Sequence, residues 1–507
     1  MLKIKLTGLL CIAFAISCLA QNTPTPQWRP LYHFTPPVNW TNDPNGLIFL
    51  NGKFNLYYQH NPFENKWGHM SWGHATSSDL VNWKNLPVAI PEMTSNDTIT
   101  MIYSGSAVLD KNNTSGFGSL NNPPVVAIYT ADLRNQHKEK QHIAYSNDGG
   151  LTFKQYAKNP VIDLDKKDFR DPNVFWYTLT KQWIMTVAMV DEHQVRIYGS
   201  KNLKEWTKLS DFGPAGFIKN GWECPSLLPL TVNNNPAKVK WVLLVSAGGE
   251  HGPLMQYYVG DFDGHTFKND NAADKVLMVD YGDAFYAAIA WRDALANKKI
   301  LLGWLQNGRP ETSPWKGQMS IPRDLSFKTT ADGIRLIQAP TSIISGSLAK
   351  LAKGAPLVKK DMGLSGSLQL SKPGSFDQNT YWIDATIKPN QTGKIEFWIA
   401  GNKDGQKIKA GYDAEKQELY IDCSATESAN KDPRNLVQTA PLKPVNGLIK
   451  VSILMDKSSL EVFGNDGESV ISTMVYPAEG NNILSVASTG EIVFPSLKVW
   501  DMASIRP

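Results

Sequence analysis

Three acids in the first half of the chain share one setting. Asp43 stands in Asn39-Trp40-Thr41-Asn42-Asp43-Pro44-Asn45-Gly46, Asp171 in Phe169-Arg170-Asp171-Pro172-Asn173, and Glu223 in Gly221-Trp222-Glu223-Cys224-Pro225. Two carboxylates facing one glycosidic bond are enough to hydrolyse it: one attacks or directs water at the anomeric carbon, and the other protonates the departing oxygen. Their surroundings must separate these roles. The amides of Asn42 and Asn45 beside Asp43 suit an ionised nucleophile. Trp222 and Cys224-Pro225 around Glu223 suit a protonated acid. Arg170 beside Asp171 is expected to keep that carboxylate ionised, as a group that binds hydroxyls and steadies positive charge. Taken singly, each acid has a plainer reading as a turn, an ion pair or a solvated side chain. Together they read as one site. Trp40, Trp67, Trp72, Trp304 and Trp315 are candidates for stacking on a sugar face.

The elements that must position these acids are strands. Asn51-Gly52 between Leu47-Ile48-Phe49-Leu50 and Phe54-Asn55-Leu56-Tyr57-Tyr58-Gln59 is a strong hairpin signal. Pro44 pushes Asp43 into extended backbone, so the acid lies at the mouth of a strand. Val174-Phe175-Trp176-Tyr177 and Ser226-Leu227-Leu228-Pro229-Leu230 follow the other two acids in the same way, and all three acids are expected at equivalent places. A second pattern recurs downstream: Ser78-Asp79-Leu80-Val81-Asn82-Trp83, Ser146-Asn147-Asp148-Gly149-Gly150-Leu151-Thr152-Phe153, Ser200-Lys201-Asn202-Leu203-Lys204-Glu205-Trp206, and a weaker copy ending at Phe267. The closing aromatics at 83, 153, 206 and 267 give a period near sixty residues, the spacing of β-propeller blades. The inner strands of a propeller start around one funnel, where acids distant in sequence would meet. A stretch rich in Ser, Gly, Ala and Lys at 341–360 reads as a linker. Beyond 361, period-two segments such as Tyr381–Ile387 and Ile449–Leu454 read as a β-sandwich to 507. The fold class expected is all-β, with a propeller over 28–340.

Residues 1–20 read as an export signal: Lys3 and Lys5, an apolar run from Leu6 to Leu19, then Ala20-Gln21. That run is short for a membrane span. Phe14-Ala15-Ile16-Ser17-Cys18 is the alternative, a lipoprotein box that would leave Cys18 lipidated. Residues 1–20 hold two lysines and no acid, so the net charge falls from +4 to +2 without them. So balanced a surface offers no electrostatic case for nucleic acid. Only Cys224 and Cys423 lie outside the signal, so a disulfide framework is not the stabilising device. No zinc, metalloprotease, EF-hand, nucleophile-elbow or phosphate-loop motif occurs.

These motifs resemble those of glycoside hydrolase family 32, the β-fructofuranosidases, which include invertases, inulinases and levanases. Trp40–Gly46 is similar to W-M-N-D-P-N-G with Thr41 for Met, Tyr103-Ser104-Gly105-Ser106 to F-S-G-S, Arg170-Asp171-Pro172 to R-D-P, and Glu223-Cys224-Pro225 to E-C-P. Asp280-Tyr281-Gly282 before Phe285-Tyr286-Ala287, Met319-Ser320-Ile321-Pro322-Arg323 and Ser458-Ser459-Leu460-Glu461-Val462-Phe463 also agree. The resemblance implies a five-bladed propeller, a β-sandwich and a retaining mechanism with no metal or cofactor. Asp43 would be the nucleophile, Glu223 the acid/base and Asp171 the transition-state stabiliser. Asn42, Gln59, Trp67, Tyr103, Ser104, Arg170 and Trp315 would line the pocket for a terminal fructose of a fructan or of sucrose. Exo action needs a wall beyond that sugar, which Asn65–His74 could form. Fructosyl transfer is the rival enzymatic reading, and a noncatalytic fructan-binding protein is the rival from another class. Asn39-Trp40-Thr41 is a glycosylation sequon, and a glycan beside Asp43 would obstruct the site. With the export signal and the absence of a disulfide framework, this favours a bacterial source and a periplasmic, extracellular or cell-surface location. The sequence leaves oligomeric state open.

Overall fold

A computed structural model describes residues 27–502 apart from 96–97, 250–253, 293, 296–297, 307–311, 373–374, 377 and 427–435; the signal, Cys18 included, lies outside the described residues. Asn51 and Gly52 both have positive φ, 50° and 74°, as a two-residue turn between right-twisted strands requires. They join Asn39–Leu50 to Lys53–Asn61, the hairpin that opens blade 1. Ser71–Ser77 and Trp83–Ile90 complete that blade. Four further blades follow with the same antiparallel order, their innermost strands being Thr98–Leu109, Phe169–Tyr177, Glu223–Val232 and Phe285–Trp291. Blades stack face to face, so inner strands are buried on both sides: Ser71–Ser77 is buried throughout, while the outermost strand of blade 3, Thr207–Phe212, is not. The ring closes where Trp315-Lys316, in the blade 5 connection, pairs in parallel with Asn39-Trp40.

The sixty-residue pattern is a turn between third and fourth strands. Ser77 Oγ takes the N–H of Leu80 while Asp79 Oδ1 takes those of Val81 and Asn82. Ser146 with Asp148, and Ser200 with Asn202, bond their turns in the same manner. Short polar side chains that satisfy a turn's backbone explain why the residue types recur. Blade 5 lacks the motif because its last two strands, Arg323–Thr330 and Gly333–Pro340, are joined by a tight turn.

The connector contains two short helices, Ser342–Ser345 and Leu348–Leu351, before a strand from Leu357 enters the sandwich. One long strand, Ile483–Asp501, joins the two sandwich layers: its first half pairs with Lys394–Gly401 and its second with Thr380–Lys388. The sandwich and propeller share an apolar core in which Trp382, Leu454 and Phe463 meet Tyr32, Trp291 and Ile321. Three of the sequence motifs named above converge there rather than on the acids. Arg323, fully buried, donates to Asp280 at 3.0 Å and to Glu461 at 2.6 Å. Among the described residues no helix is long and apolar enough to cross a membrane.

Candidate active site

Each of the five innermost strands slips by one residue against its neighbour, at the same end of the propeller. Between Thr41 and Pro44, Ile102 and Gly105, Arg170 and Asn173, Glu223 and Ser226, and Tyr286 and Ile289, three steps on the inner strand face two on its partner. These are β-bulges, which bend a strand and re-aim its side chains. Asp171 and Cys224 lie there at φ of 67° and 50°, left-handed values that cost a residue with a Cβ and persist only where packing over-determines them. Gly105 is required: a Cβ there would fall 2.1 Å from the Ile128 carbonyl oxygen.

The bulges line a pocket of about 400 Å³ with Asn42, Asp43, Ser104, Arg170, Asp171, Glu223 and Tyr286. Beneath it the channel narrows to a void of about 10 Å³ among Pro44, Gly105, Pro172, Cys224 and Pro225. Asp43 and Asp171 directly precede proline, but in blade 4 that place belongs to Cys224, and Glu223 comes one residue earlier. The three acids are therefore not equivalent, as the sequence reading had them. Cys224 Sγ lies 3.6 Å from Asp43 Oδ2 and 3.5 Å from Asp171 Oδ2, so it sits between the two deep carboxylates. Glu223 stands apart, its side chain 30% exposed.

Asp43 accepts from Ser104 Oγ at 2.6 Å and from Asn42 Nδ2 at 3.0 Å. Asn45, the other expected donor, turns its Oδ1 to the Gly105 N–H instead. Desolvation by the surrounding protein raises the Asp43 pKa; the Ser104 and Asn42 bonds oppose it, and the Glu223 charge adds to it. Asp171 accepts the Cys224 N–H at 2.9 Å. Burial, then the Glu223 charge, push its pKa up, with Arg170 opposing. This corrects the expectation that Arg170 holds Asp171 low: the guanidinium turns away to Glu223, Glu139 and Asp168. The apolar setting expected for Glu223 is also absent. Trp222 is buried on the other face, donating to the Phe217 carbonyl, while Glu223 accepts from Arg170 Nε at 2.9 Å and Tyr286 Oη at 2.6 Å. Alternation along a strand sends sequence neighbours to opposite sides.

Of the other residues expected here, Gln59, Trp67, Tyr103 and Ser104 line the pocket with Asn42 and Arg170. Gln59 Nε2 is tied to the Ile102 carbonyl at 3.0 Å. Trp67, 47% exposed, forms part of the wall, beneath the Arg134 guanidinium. Trp315 does not fit the expectation. It is 1% exposed at the seam that closes the ring, with the Arg29 guanidinium 4.1 Å over its ring. Trp72 is likewise core, its indole donating to the Tyr103 carbonyl. Trp304 lines the pocket, and its indole N–H has no hydrogen-bond partner among the described residues. Sequence reasoning gave no role to Tyr286, Glu139 or Asp168. Tyr286 was within reach, since it opens the fifth bulge as Glu223 opens the fourth.

Both halves of the chain match known protein families. The family model for the glycosyl hydrolases family 32 N-terminal domain matches residues 33–340, and that for the family 32 C-terminal domain matches 350–501. A levanase of Bacillus subtilis is 42% identical, covering 98% of this chain and 74% of its own length. An extracellular exo-inulinase of Aspergillus niger is 36% identical, over 91% of this chain and 92% of that one. The crystal structure of exo-inulinase from Aspergillus awamori superposes with a TM-score of 0.87 at 33% identity, covering 95% of this chain and 99% of the other.

Proposed function

The chain belongs to glycosyl hydrolase family 32, the β-fructofuranosidase family, and on that premise we propose that it is an exported, retaining, exo-acting enzyme that releases fructose from fructans (levan and inulin) and from sucrose. The observation that carries this reading is the ring of bulges, which gathers Asp43, Asp171 and Glu223 at one pocket that narrows sharply beneath them. A pocket narrowed below its reacting groups admits the end of a chain and excludes its middle, which supports exo action.

Asp43, held by two donors, attacks the anomeric carbon of the terminal fructosyl unit and becomes esterified to it. Glu223, which opens its bulge where Asp43 lies two residues into its own, and whose side chain is 30% exposed, gives its proton to the departing oxygen, then takes one from the water that hydrolyses the ester. Asp171, tied to the Cys224 N–H, accepts from the sugar hydroxyls and steadies the positive charge that develops on the ring. Ser104 and Asn42 bond the ionised form of the Asp43 carboxylate and so oppose the desolvation that raises its pKa. Trp304 offers an unused N–H and Trp67 a half-exposed ring.

Chromatography of products against time on levan, inulin and sucrose tests the proposal. Fructose as the sole early product is expected, while an initial ladder of oligofructosides would refute exo action. Glu223→Gln should lower turnover by orders of magnitude with folding intact, and near-wild-type fructose release would remove Glu223 from the role of proton donor.

A further inference from the structure

One guanidinium in the pocket holds three carboxylates. Arg170 Nε donates to Glu223 Oε1 at 2.9 Å, and its Nη1 donates to Glu139 Oε1 at 2.7 Å and to Asp168 Oδ1 at 2.9 Å. Glu139 comes from another blade, on the third strand of blade 2, Lys138–Ser146. Its side chain is only 6% exposed, and its second oxygen, Oε2, takes the Phe169 N–H at 2.8 Å. It thus grips both the arginine side chain and the backbone just before it. That double hold fixes the rotamer that turns Nε toward Glu223.

An isolated guanidinium against Glu223 would favour the ionised carboxylate. A general acid must instead carry its proton when substrate arrives. We infer that Glu139 is a positioning residue for the proton donor, holding Arg170 and sharing its charge so that Glu223 meets a partly neutralised cation. This rests on the reading of Glu223 as that donor.

The groups around Glu139 support the assignment. Asp132 lies opposite it on one neighbouring strand, paired with Arg134, and Lys166 lies opposite on the other, drawn to Glu192. The Tyr103 phenol feels the charges of Asp132 and Glu139, and Asp168, bonded to the same Arg170 Nη1, repels Glu139 directly. Burial pushes Glu139 up to about 7, with Arg170 opposing. Its charge therefore changes within the neutral range. Ionised above that value, it draws on Arg170 most strongly where retention of the Glu223 proton is most difficult.

The experiment is a kcat/KM–pH profile on sucrose for wild type, Glu139→Gln, Glu139→Asp and Asp168→Asn, with thermal unfolding of each. Glu139→Gln should move the alkaline limb toward acid by about one unit, so that its activity relative to wild type falls as pH rises. Glu139→Asp should restore most of the limb. Asp168→Asn, at the more exposed third carboxylate, should shift it the same way by less, and tests the inference if Glu139→Gln does not fold. A uniform loss of kcat with the limb in place would mean structural support only and would overturn the inference. Failure of the Glu223 assignment is separable, because it would appear as surviving turnover in Glu223→Gln whatever the Glu139 profiles.

Discussion

Raising the pH from 6 to 9.5 should weaken the joint between propeller and sandwich through one side chain, His33. The ring is fully buried, with Nδ1 2.8 Å from Asp456 Oδ2 and Nε2 3.0 Å from Glu461 Oε2. Burial alone would lower its pKa, but the bonds and charges of the two carboxylates outweigh burial and push it up to about 9, against an ordinary 6.5. A folded-state pKa above the unfolded one contributes stability that is fully present below pH 6.5 and lost as the pH rises through 9. A rise of about 2.5 units at about 1.4 kcal/mol each amounts to roughly 3 kcal/mol. No discount for solvent applies, since all three side chains are shielded. Against burial, Arg323 and His33 hold Glu461 down to about 2, and His33 holds Asp456 below its usual range. Those shifts describe partly the same bonds from the carboxylate side, lost as pH falls through the acid range, and are not added to the first. The assay is urea unfolding of wild type and His33→Gln at pH 6, 7.5 and 9.5. The variant should be less stable by about 4 kcal/mol at pH 6, and the gap should shrink to about 1 kcal/mol at pH 9.5, where the neutral ring still makes a hydrogen bond. A gap that stays constant across the three pH values would refute the reasoning.

Ser104→Ala removes the 2.6 Å bond to Asp43, a charge-assisted contact of about 1.5–3 kcal/mol, so kcat should fall roughly 10- to 100-fold and the acid limb of the pH profile should move upward. Unchanged kinetics would argue against Asp43 as the reacting carboxylate. Trp315→Ala and Trp304→Ala should separate seam from pocket: the first should cost about 3–5 kcal/mol in denaturation with KM within roughly threefold, and the second should raise KM about tenfold at a smaller cost in stability. Gly105→Ala should lower the melting temperature or the soluble yield and cost activity, because its Cβ meets backbone at Ile128 and Tyr129 rather than a side chain that could move. A fully folded, fully active alanine variant would show that the blade 2 bulge tolerates spreading.

Much of this was written in local chemistry. Asn51-Gly52 needs positive φ at two successive residues, so the first hairpin follows from the residue types themselves. The Ser and Asx turns follow for the same reason, since each side chain bonds a backbone two to four residues away. Because those turns repeat at blade spacing, the propeller and the meeting of three acids could be read along the chain. The partners of Glu139, Tyr286 and Trp315 could not. Glu139 reaches Arg170, and Tyr286 reaches Glu223, each from a neighbouring blade, and Trp315 turns under Arg29 at the closing seam. The sequence neighbours of Asp171 and Glu223 also misled, because a bulged strand turns adjacent side chains to opposite faces. What the chain determined by itself was what nearby atoms can satisfy: turns, hairpins and the inventory of acids. Which charge faces which was decided only when the ring closed, since electrostatic partners are chosen by distance in space and the closed ring sets those distances.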